Sequence, residues 1–433
     1  MPFTRDEKIK VWTIGEHHAL YDRVETYKKG PNAQEIPHVS KDLDIYSVMM
    51  TRMGSAKSPE FRRLLEWLFT QVELEVFHLL RDIPLEDQPQ NLAKMMDIPI
   101  DQIEDILESG FQKGALFARD RKTRYGYRFL PRGMMQFHDG SQTNSSLDLK
   151  YGPKLFQLWN DWCYADEGLG DYERQRSKLV NQRPNGRRIL PAYEAILASP
   201  DVDQLQSWED GREVVNCHYR WAMSHCSCRR RVSGGGMTCK RTNDQVCLQF
   251  DIAAETVILR HNRPITREES LAALTQAHRD GLVGSMEHYQ TSNFFMLCFC
   301  CDCCCHHWAP HIRQHGEYSP GWRWTKSRWQ VTIDQDKCIA CKNKTSGKHR
   351  CIHVCQFDAI EMRDTEVVKE GKETAIKPRA YVEPDKCWGC LSCATICPTK
   401  AIVARCVRPT DWVPEKPLFA RQKRFDGLQG AAK

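Results

Sequence analysis

A repeated arrangement of cysteines between residues 336 and 402 constrains the fold of this chain more than any other feature of its sequence. Residues 336–341, Asp-Lys-Cys-Ile-Ala-Cys, match residues 385–390, Asp-Lys-Cys-Trp-Gly-Cys. Residues 355–360 match residues 397–402 in the same way, since both begin with cysteine and end with Ala-Ile. Self-similarity of this kind indicates two copies of one structural unit. We therefore expect a domain with an internal pseudo-twofold arrangement.

Strand-like residues accompany both copies and indicate the class of this domain. Residues 330–333, Gln-Val-Thr-Ile, precede the first copy, and residues 380–382, Ala-Tyr-Val, precede the second. β-Branched and aromatic residues favour strands. Two copies of a strand–loop–strand unit predict an α+β domain over residues 326–408.

The number of cysteines favours metal binding over disulfides. Cysteine occupies 21 of 433 positions, and most of these cysteines fall in four tight groups. The sequence opens without an apolar signal segment, and no run approaches the roughly 18 apolar residues that would span a bilayer. We therefore expect a cytoplasmic protein without a membrane span, in which dense cysteine is typical of metal ligation. Scattered Cys163, Cys217 and Cys406 are interpreted as ordinary buried thiols.

The second copy carries the more specific motif, Cys387-x2-Cys390-x2-Cys393-x3-Cys397-Pro398. This spacing resembles the cysteine run of bacterial two-cluster ferredoxins, in which three thiolates take three corners of one [4Fe–4S] cube while backbone amides point at the sulfurs. The resemblance implies two such clusters, and it implies that the fourth cysteine of each run serves the other cluster. The implied ligand sets are Cys338, Cys341, Cys351 and Cys397 for one cluster, and Cys387, Cys390, Cys393 and Cys355 for the other.

The first copy departs from this pattern in two places. Nine residues separate Cys341 from Cys351, and Gln356 stands where the second copy has Pro398. A longer loop costs little closure entropy, so we expect the cluster to form. The basic loop 342–350 is either a solvated insertion or a docking surface for an acidic redox partner. Since C-x2-C pairs also form zinc sites, a pair of zinc sites is the alternative for the whole domain.

Two upstream groups of cysteines predict a third metal centre. Each group supplies at least four soft ligands, enough for one tetrahedral metal or one cluster. A third [4Fe–4S] cluster, structural zinc and redox-active free thiols all remain open. Adjacent cysteines are expected to diverge from one backbone rather than share a metal. The candidate ligands are Cys226, Cys228, Cys239, Cys247, Cys300, Cys301, Cys303, Cys304 and Cys305.

The rest of the chain predicts an α+β multidomain protein with a mostly helical N-terminal half. One helix is expected from Phe61 to Leu80, and helix, helix-turn-helix and hairpin then follow in the order of a winged-helix domain, which this region resembles. A capping box at Thr266 predicts a helix that ends at Gly281. The predicted segments are an irregular arm (1–55), a winged-helix-like module (56–131), a helical and irregular connector (132–210), a cysteine-rich metal-binding domain (211–325), the ferredoxin-like domain (326–408) and a tail (409–433).

Charge argues against nucleic acid as the partner. The net charge is only +6, from 62 Lys and Arg against 56 Asp and Glu. The second helix of the winged-helix-like module presents Asp101, Glu104, Asp105 and Glu108, which would repel phosphates. Basic residues of the following hairpin, Arg119, Arg121, Lys122, Arg124 and Arg128, favour the opposite interpretation. Protein docking or a structural role is therefore preferred over DNA binding.

Residues 211–405 as a whole resemble 4Fe–4S dicluster proteins of anaerobic bacteria and archaea. The resemblance implies electron transfer to or from a partner oxidoreductase. No Gly-x-Gly-x-x-Gly after a strand and no phosphate-binding Gly-x4-Gly-Lys motif is present, so an electron-transfer subunit is preferred over an independent enzyme. Two alternatives stay open: a redox-responsive winged-helix regulator, and a reductase with a catalytic cluster among the upstream cysteines.

Overall fold

The computed structural model describes residues 14–83, 88–120, 125–129, 134–169, 187–241, 246–306, 324–367 and 375–415. The chain forms two compact units. The first unit comprises residues 1–180, 224–239 and 252–264, and the second comprises residues 181–223, 240–251 and 265–433. The predicted cysteine-rich segment 211–325 thus contributes to both units. The described residues mix helices and strands, which confirms the α+β class.

The elements are numbered along the chain. The helices are α1 (Ile14–Val24), α2 (Ile45–Met53), α3 (Pro59–Leu68), α4 (Gln71–Leu79), α5 (Gln88–Met96), α6 (Ile100–Gln112), α7 (Met134–Thr143), α8 (Asp148–Tyr164), α9 (Tyr193–Leu197), α10 (Gly211–Asn216), α11 (Ser227–Gly234), α12 (Ile252–Leu259), α13 (Arg267–Arg279), α14 (Arg350–Val354) and α15 (Ser392–Thr395). The strands are β1 (Leu116–Asp120), β2 (Tyr125–Phe129), β3 (Arg187–Leu190), β4 (Trp221–Ser224), β5 (Cys247–Phe250), β6 (Arg263–Ile265), β7 (Val283–Glu287), β8 (Met296–Cys300), β9 (Trp324–Thr325), β10 (Trp329–Ile333), β11 (Ile360–Val367), β12 (Ala375–Val382) and β13 (Ile402–Cys406).

The N-terminal region is more ordered than its sequence predicted. Helices α1 and α2 lie within the segment expected to be an irregular arm, and α2 begins where the Asp44 side chain accepts a hydrogen bond from the Ser47 amide at 2.8 Å. Leu20 and Met49 are fully buried in the core of the first unit. Gly30 and Pro37 prevent one long helix, but they leave room for two short ones.

The single helix predicted from Phe61 to Leu80 is two helices, α3 and α4. Phe69 has extended backbone between them, and Thr70 begins α4 with a capping box in which its hydroxyl oxygen accepts from the Glu73 amide at 3.2 Å. Apolar residues continue at helical spacing across the break, since Leu68 and Leu74 are both buried in the same core. Periodicity alone therefore concealed the interruption.

Helices α5 and α6 and the antiparallel hairpin β1–β2 follow in the predicted order. Of the four carboxylates expected on the surface of α6, only Asp101 and Glu104 are exposed. Asp105 is buried and accepts a hydrogen bond from the Tyr27 hydroxyl at 2.6 Å, and Glu108 is buried and accepts one from the Gln112 side-chain nitrogen at 2.9 Å. Residues 121–124 of the basic hairpin lie outside the described residues.

The second unit contains a mixed sheet and two short ribbons. Its sheet includes, in order, β5, β8, β7, β3 and β9, all neighbours antiparallel except the parallel pair β3–β9. Strand β10 precedes the first cysteine copy and pairs with β13 after the second, while β11 after the first pairs with β12 before the second. This reciprocal exchange of strands follows the internal repeat.

Helix α13 begins and ends as its sequence predicted. The Thr266 hydroxyl oxygen accepts from the Glu269 amide at 3.1 Å, and the Glu269 carboxylate accepts from the Thr266 amide at 2.8 Å. Gly281 follows the helix with φ of 76°, the left-handed conformation that glycine adopts without steric cost. Within the described ranges, no helix combines the length and the apolarity that a bilayer crossing requires.

Candidate metal centres

The two cysteine copies share an unusual backbone conformation. In each C-x2-C pair the residue before the second cysteine is left-handed, with φ of 49° at Ala340 and 74° at Gly389. Three residues after the last cysteine of each copy the backbone is left-handed again, with φ of 49° at Asp358 and 53° at Lys400. Such φ values are uncommon outside glycine. The sequence repeat is therefore also a repeat of backbone geometry.

Gly389 is required by its surroundings as well as by its φ. A Cβ atom at this position would lie 1.9 Å from the Trp329 carbonyl oxygen and 2.2 Å from the Ser327 hydroxyl oxygen. The Ser327 hydroxyl donates a hydrogen bond to the Gly389 carbonyl at 2.7 Å. The close approach fixes the cysteine loop of the second copy against the start of β10.

One cavity of about 360 Å³ collects the first predicted ligand set. Its lining includes Cys338, Cys341, Cys351 and Cys397 together with Cys393, so two cysteines of the second copy join three of the first. The rest of the lining is almost wholly apolar, apart from Arg350 and Thr399. An apolar cavity lined by cysteines fits the donor chemistry and the water exclusion that an iron–sulfur cluster needs.

A second cavity of about 340 Å³ collects the other set. Its lining includes Cys355, Cys387, Cys390 and Cys393, and here Cys355 of the first copy joins three cysteines of the second. Phe357 and Trp388 line the same cavity, and their rings stack with centroids 5.5 Å apart. Cys393 lines both cavities, and the other seven cysteines are distributed between the two with Cys397 and Cys355 each beside cysteines of the other copy.

Backbone amides and burial act in opposite directions on these sulfurs. The Ala380 amide donates to Cys338 Sγ and the Ala359 amide donates to Cys355 Sγ, both at 3.4 Å. Burial raises the pKa of Cys351 to about 11 and that of Cys390 to about 12. Without bound metal these thiols would keep their protons at neutral pH, so ligation has to displace them.

The extra loop of the first copy is a compact turn. The Asn343 side-chain oxygen accepts hydrogen bonds from the Thr345 and Ser346 amides at 2.9 and 3.0 Å. His349 Nδ1 donates to the Ala340 carbonyl at 2.9 Å, which ties the end of the loop to the first C-x2-C pair. The nine-residue loop is thus closed on itself and leaves Cys341 and Cys351 around one cavity.

Gln356, which replaces the proline of the second copy, connects the ferredoxin-like domain to the dense cysteine run. Its side-chain oxygen accepts from the Asp302 amide at 2.7 Å, and its side-chain nitrogen donates to the carbonyls of Cys300, at 3.2 Å, and Gly281. The side chain is 3% exposed. Proline could make none of these hydrogen bonds. The departure from the cluster motif therefore has a structural function that the sequence did not indicate.

The dense cysteine run forms a turn that gathers three thiols. The sulfur of Cys303 lies 3.7 Å from that of Cys301 and 3.5 Å from that of Cys304, and all three side chains are buried. The Cys305 amide donates to the Cys301 carbonyl at 3.2 Å, so the chain turns here instead of continuing β8. The expectation that adjacent cysteines diverge is wrong for Cys303 and Cys304, because it assumed extended backbone.

Other thiols of the run lie in a different environment. A hydrogen bond with Cys298 raises the pKa of Cys300 to about 12, while Cys305 acts in the opposite direction. Burial alone would lower the pKa of Arg187, but the neighbouring Cys298, Cys300 and Cys305 raise it. Cys298 was missing from the predicted site, although its two-residue spacing from Cys300 in β8 places both on one face of the strand.

The remaining predicted ligands are distributed over both units. Cys226, Cys228 and Cys239 belong to the first unit, where Cys228 is buried. Cys247 begins β5 in the second unit, and its sulfur accepts a hydrogen bond from the Gln249 side-chain amide at 2.9 Å. Of the scattered cysteines, Cys163 is buried, while Cys217 is exposed.

Comparison with known proteins places the domain in a family. A family model described as a 4Fe-4S dicluster domain matches residues 337–401. Ferredoxin-3 of a Nostoc species is 33% identical over 81 residues, which cover 17% of this chain and 75% of that ferredoxin. Through these residues the chain belongs to the 4Fe–4S dicluster ferredoxin family. The ferredoxin-type resemblance inferred from the cysteine spacing is thereby confirmed.

A second relative of this dicluster ferredoxin domain is a subunit of a larger protein. The beta subunit of adenylylsulfate reductase from Megalodesulfovibrio gigas is 36% identical over 73 residues, which cover 17% of this chain and 36% of that subunit. The chain therefore spans only about a third of this relative. No solved structure matches the chain.

Proposed function

We propose that the chain transfers single electrons through two [4Fe–4S] clusters. One is held by Cys338, Cys341, Cys351 and Cys397, and the other by Cys355, Cys387, Cys390 and Cys393. The observation that supports this proposal is the distribution of the cysteines over two cavities: Cys393 lines both, and among the other seven Cys397 and Cys355 each lie beside cysteines of the other copy. A cluster of this type accepts and releases one electron without moving atoms far, and the protein tunes its potential through hydrogen bonds and exposure.

The residues around each cavity hold the cluster and keep water away. Amide donors at Cys338 and Cys355 stabilise negative charge on the sulfurs, which favours the reduced state. Trp388 covers the second cavity, while Ile339 beside the first is 60% exposed. We therefore infer that the first cavity lies nearer to the surface through which electrons enter or leave.

A partner oxidoreductase is the proposed source or acceptor of the electrons. Exposed Ile339 lies beside the basic loop 342–350, so an apolar contact and positive charge occur together. Such a surface suits a partner with an acidic docking face, because complementary charge accelerates encounter. That one relative is named as a reductase subunit favours the same role for this chain.

An anaerobic reductive titration tests electron transfer. With two clusters, the full chain should take up two electrons and return both on reoxidation. The Cys387→Ala variant should take up one electron, since it retains only the cluster of the other set. Cys406→Ala, which removes a thiol outside both cavities, should still take up two. A wild-type chain that takes up none would overturn the proposal.

A tetrahedral zinc ion is the third centre that the geometry favours. Four thiolates at a Zn–S distance of about 2.3 Å lie about 3.8 Å from one another. The sulfur separations of 3.7 and 3.5 Å in the turn are close to this value. A cubane distributes its thiolates over four iron atoms and needs wider spacing. Cys301, Cys303 and Cys304 are the proposed ligands, and the Lys240 amide donates a hydrogen bond to Cys303 Sγ at 3.4 Å.

Metal analysis of two variants tests this centre. Cys303→Ser should lose about one zinc per chain and keep its iron, and Cys304→Ser should do the same. Cys217→Ser, at an exposed thiol, is the control and should keep both metals. A fall of about four irons in Cys303→Ser would show that the turn holds a cluster instead.

The winged-helix-like module is proposed to dock protein rather than DNA. Helix α6 contains no lysine or arginine, and its exposed positions include Asp101 and Glu104. Both would oppose the phosphate neutralisation on which DNA binding depends. A mobility-shift assay at low salt should show no shift of duplex DNA. A shift that weakens steeply with salt would favour a redox-responsive regulator.

A further inference from the structure

We propose that a basic pocket in the second unit binds a small, multiply charged oxyanion of the phosphate or sulfate type. The pocket has a volume of about 740 Å³ and draws its lining from four separate segments of the chain. Four cationic side chains line it, and Asp280 is the single carboxylate among the lining residues. The cations are Lys240, Arg241, Arg279 and Arg350.

The cations differ in how strongly they are neutralised. Lys240 Nζ lies 3.2 Å from the Asp302 carboxylate, and Arg279 lies 2.9 Å from the Glu194 carboxylate, neither of which lines the pocket. Half-exposed ion pairs of this kind are weak and exchange readily. Among the described residues, the Arg350 guanidinium has no ion pair. The pocket therefore retains positive charge.

The geometry favours an oxyanion over other ligands. Guanidinium groups bind phosphate and sulfate through paired N–H donors, which distinguishes them from simple point charges. The Arg241 guanidinium is oriented by the carbonyls of His353, at 3.2 Å, and Asp280, at 3.4 Å. The Asp280 carboxylate, the one negative group of the lining, accepts a hydrogen bond from the Gln276 side-chain nitrogen at 2.8 Å. A concave site built from four segments suits a compact anion, free or attached to a small molecule.

The pocket adjoins the first cysteine cavity. Arg350 and Ile396 line both, and Arg350 directly precedes Cys351 in the chain. An anion held here adds negative charge beside the proposed cluster of the first set, which makes that cluster harder to reduce. This electrostatic step depends on the proposed function, whereas anion binding does not.

Calorimetric titration of the anaerobically purified full chain with inorganic phosphate, and separately with sulfate, tests the binding. At low ionic strength both should bind saturably at one site. Arg279→Gln and Arg350→Gln should each weaken binding about tenfold or more, because each removes a charged hydrogen-bond donor. Lys344→Gln removes an exposed cation of the loop 342–350 that does not line the pocket. This variant should bind both anions as tightly as wild type.

Two results would overturn the proposal. One is the absence of saturable binding by either anion. The other is binding that the Arg279 and Arg350 variants weaken no more than the Lys344 control. Saturating phosphate should also lower the potential of one cluster in wild type and not in Arg350→Gln. Calorimetric binding can be present in a chain that fails the electron titration, so failure of this inference and failure of the proposed function are distinguishable.

Discussion

The second copy of the cysteine repeat keeps the minimal cluster spacing, whereas the first copy carries an inserted loop and a glutamine that binds the dense cysteine run. In the second copy, minimal spacing and Pro398 accompany a glycine pressed against the Trp329 carbonyl. In the first copy, Ala340 takes the glycine position, a basic turn is inserted, and Gln356 binds the dense cysteine run. The same backbone frame therefore supports two different surroundings.

The comparison separates the features that a cluster-binding loop requires from additional features that occur in one copy only. Left-handed backbone and the C-x2-C and C-x3-C spacings recur in both copies, so we assign them to cluster binding. The insertion and Gln356 occur in one copy only, and both lead to features outside the cluster: the anion pocket and the cysteine turn. Variants that exchange features between the copies can test this division.

The largest effect is expected from the cysteine that crosses between copies. Cys397→Ser should lose about four of eight irons, and adding Cys338→Ser should lose little more, because both serve one cluster. Adding Cys387→Ser to Cys397→Ser should remove the remaining iron. Iron analysis of the purified variants measures this. The crossed assignment would be contradicted if the iron losses were non-additive for the pair Cys397 and Cys387 but additive for the pair Cys397 and Cys338.

The next effect compares equivalent backbone positions. Gly389→Ala should lower the free energy of unfolding by about 4 kcal/mol or more, because it combines left-handed backbone with a Cβ against a carbonyl oxygen. Ala340→Gly, at the matching position of the first copy, should change it by no more than about 1 kcal/mol. Anaerobic urea unfolding measures both. Equal changes in the free energy of unfolding would mean that the two copies do not differ in packing at this backbone position.

Gln356→Leu should have a smaller effect, confined to the hydrogen bonds between the first copy and the dense cysteine run. It leaves the Asp302 amide and two carbonyls without their partner, which should cost about 2–3 kcal/mol. Zinc content should fall while iron is retained, since the cysteine turn loses its anchor. Gln330→Leu removes a single exposed hydrogen bond to the Pro384 carbonyl and serves as the control, with an expected change below about 0.5 kcal/mol.

The smallest effect concerns pH and the helix beside the first copy. Helix α13 buries His278 and leads to Gly281, where an added Cβ would lie 2.8 Å from the Val354 side chain of α14. Burial lowers the pKa of His278 to about 4, below its ordinary 6.5, so the folded state resists protonation. Stability from this residue is present above pH 6.5 and is lost as pH falls toward 4, by about 2 kcal/mol between pH 7 and pH 5.

The difference between wild type and His278→Phe isolates this contribution. Urea unfolding at pH 7 and pH 5 should show a shallower loss of stability in the variant than in wild type. His38→Asn removes an exposed histidine and should keep the wild-type slope. A His278→Phe slope equal to that of wild type would assign the acid sensitivity to other groups.

The features that the sequence predicted well are those encoded over a few neighbouring residues. The cysteine repeat, its flanking strands and the capping box at Thr266 depend on spacing and local hydrogen bonds, and the structure contains all three. The break at Thr70 was missed because apolar spacing continues through it. The role of Gln356 was missed because its partners lie far away in the sequence, whereas Cys298 was missed although its two-residue spacing from Cys300 was visible. Convergence of Cys303 and Cys304 depends on a turn that cysteine composition does not encode.

Iron, acid-labile sulfide and zinc per chain, counted on protein purified without oxygen, test the central account most directly. Two clusters and one zinc site predict about eight irons, about eight sulfides and one zinc. A chain with no iron or sulfide and several zinc ions would contradict it.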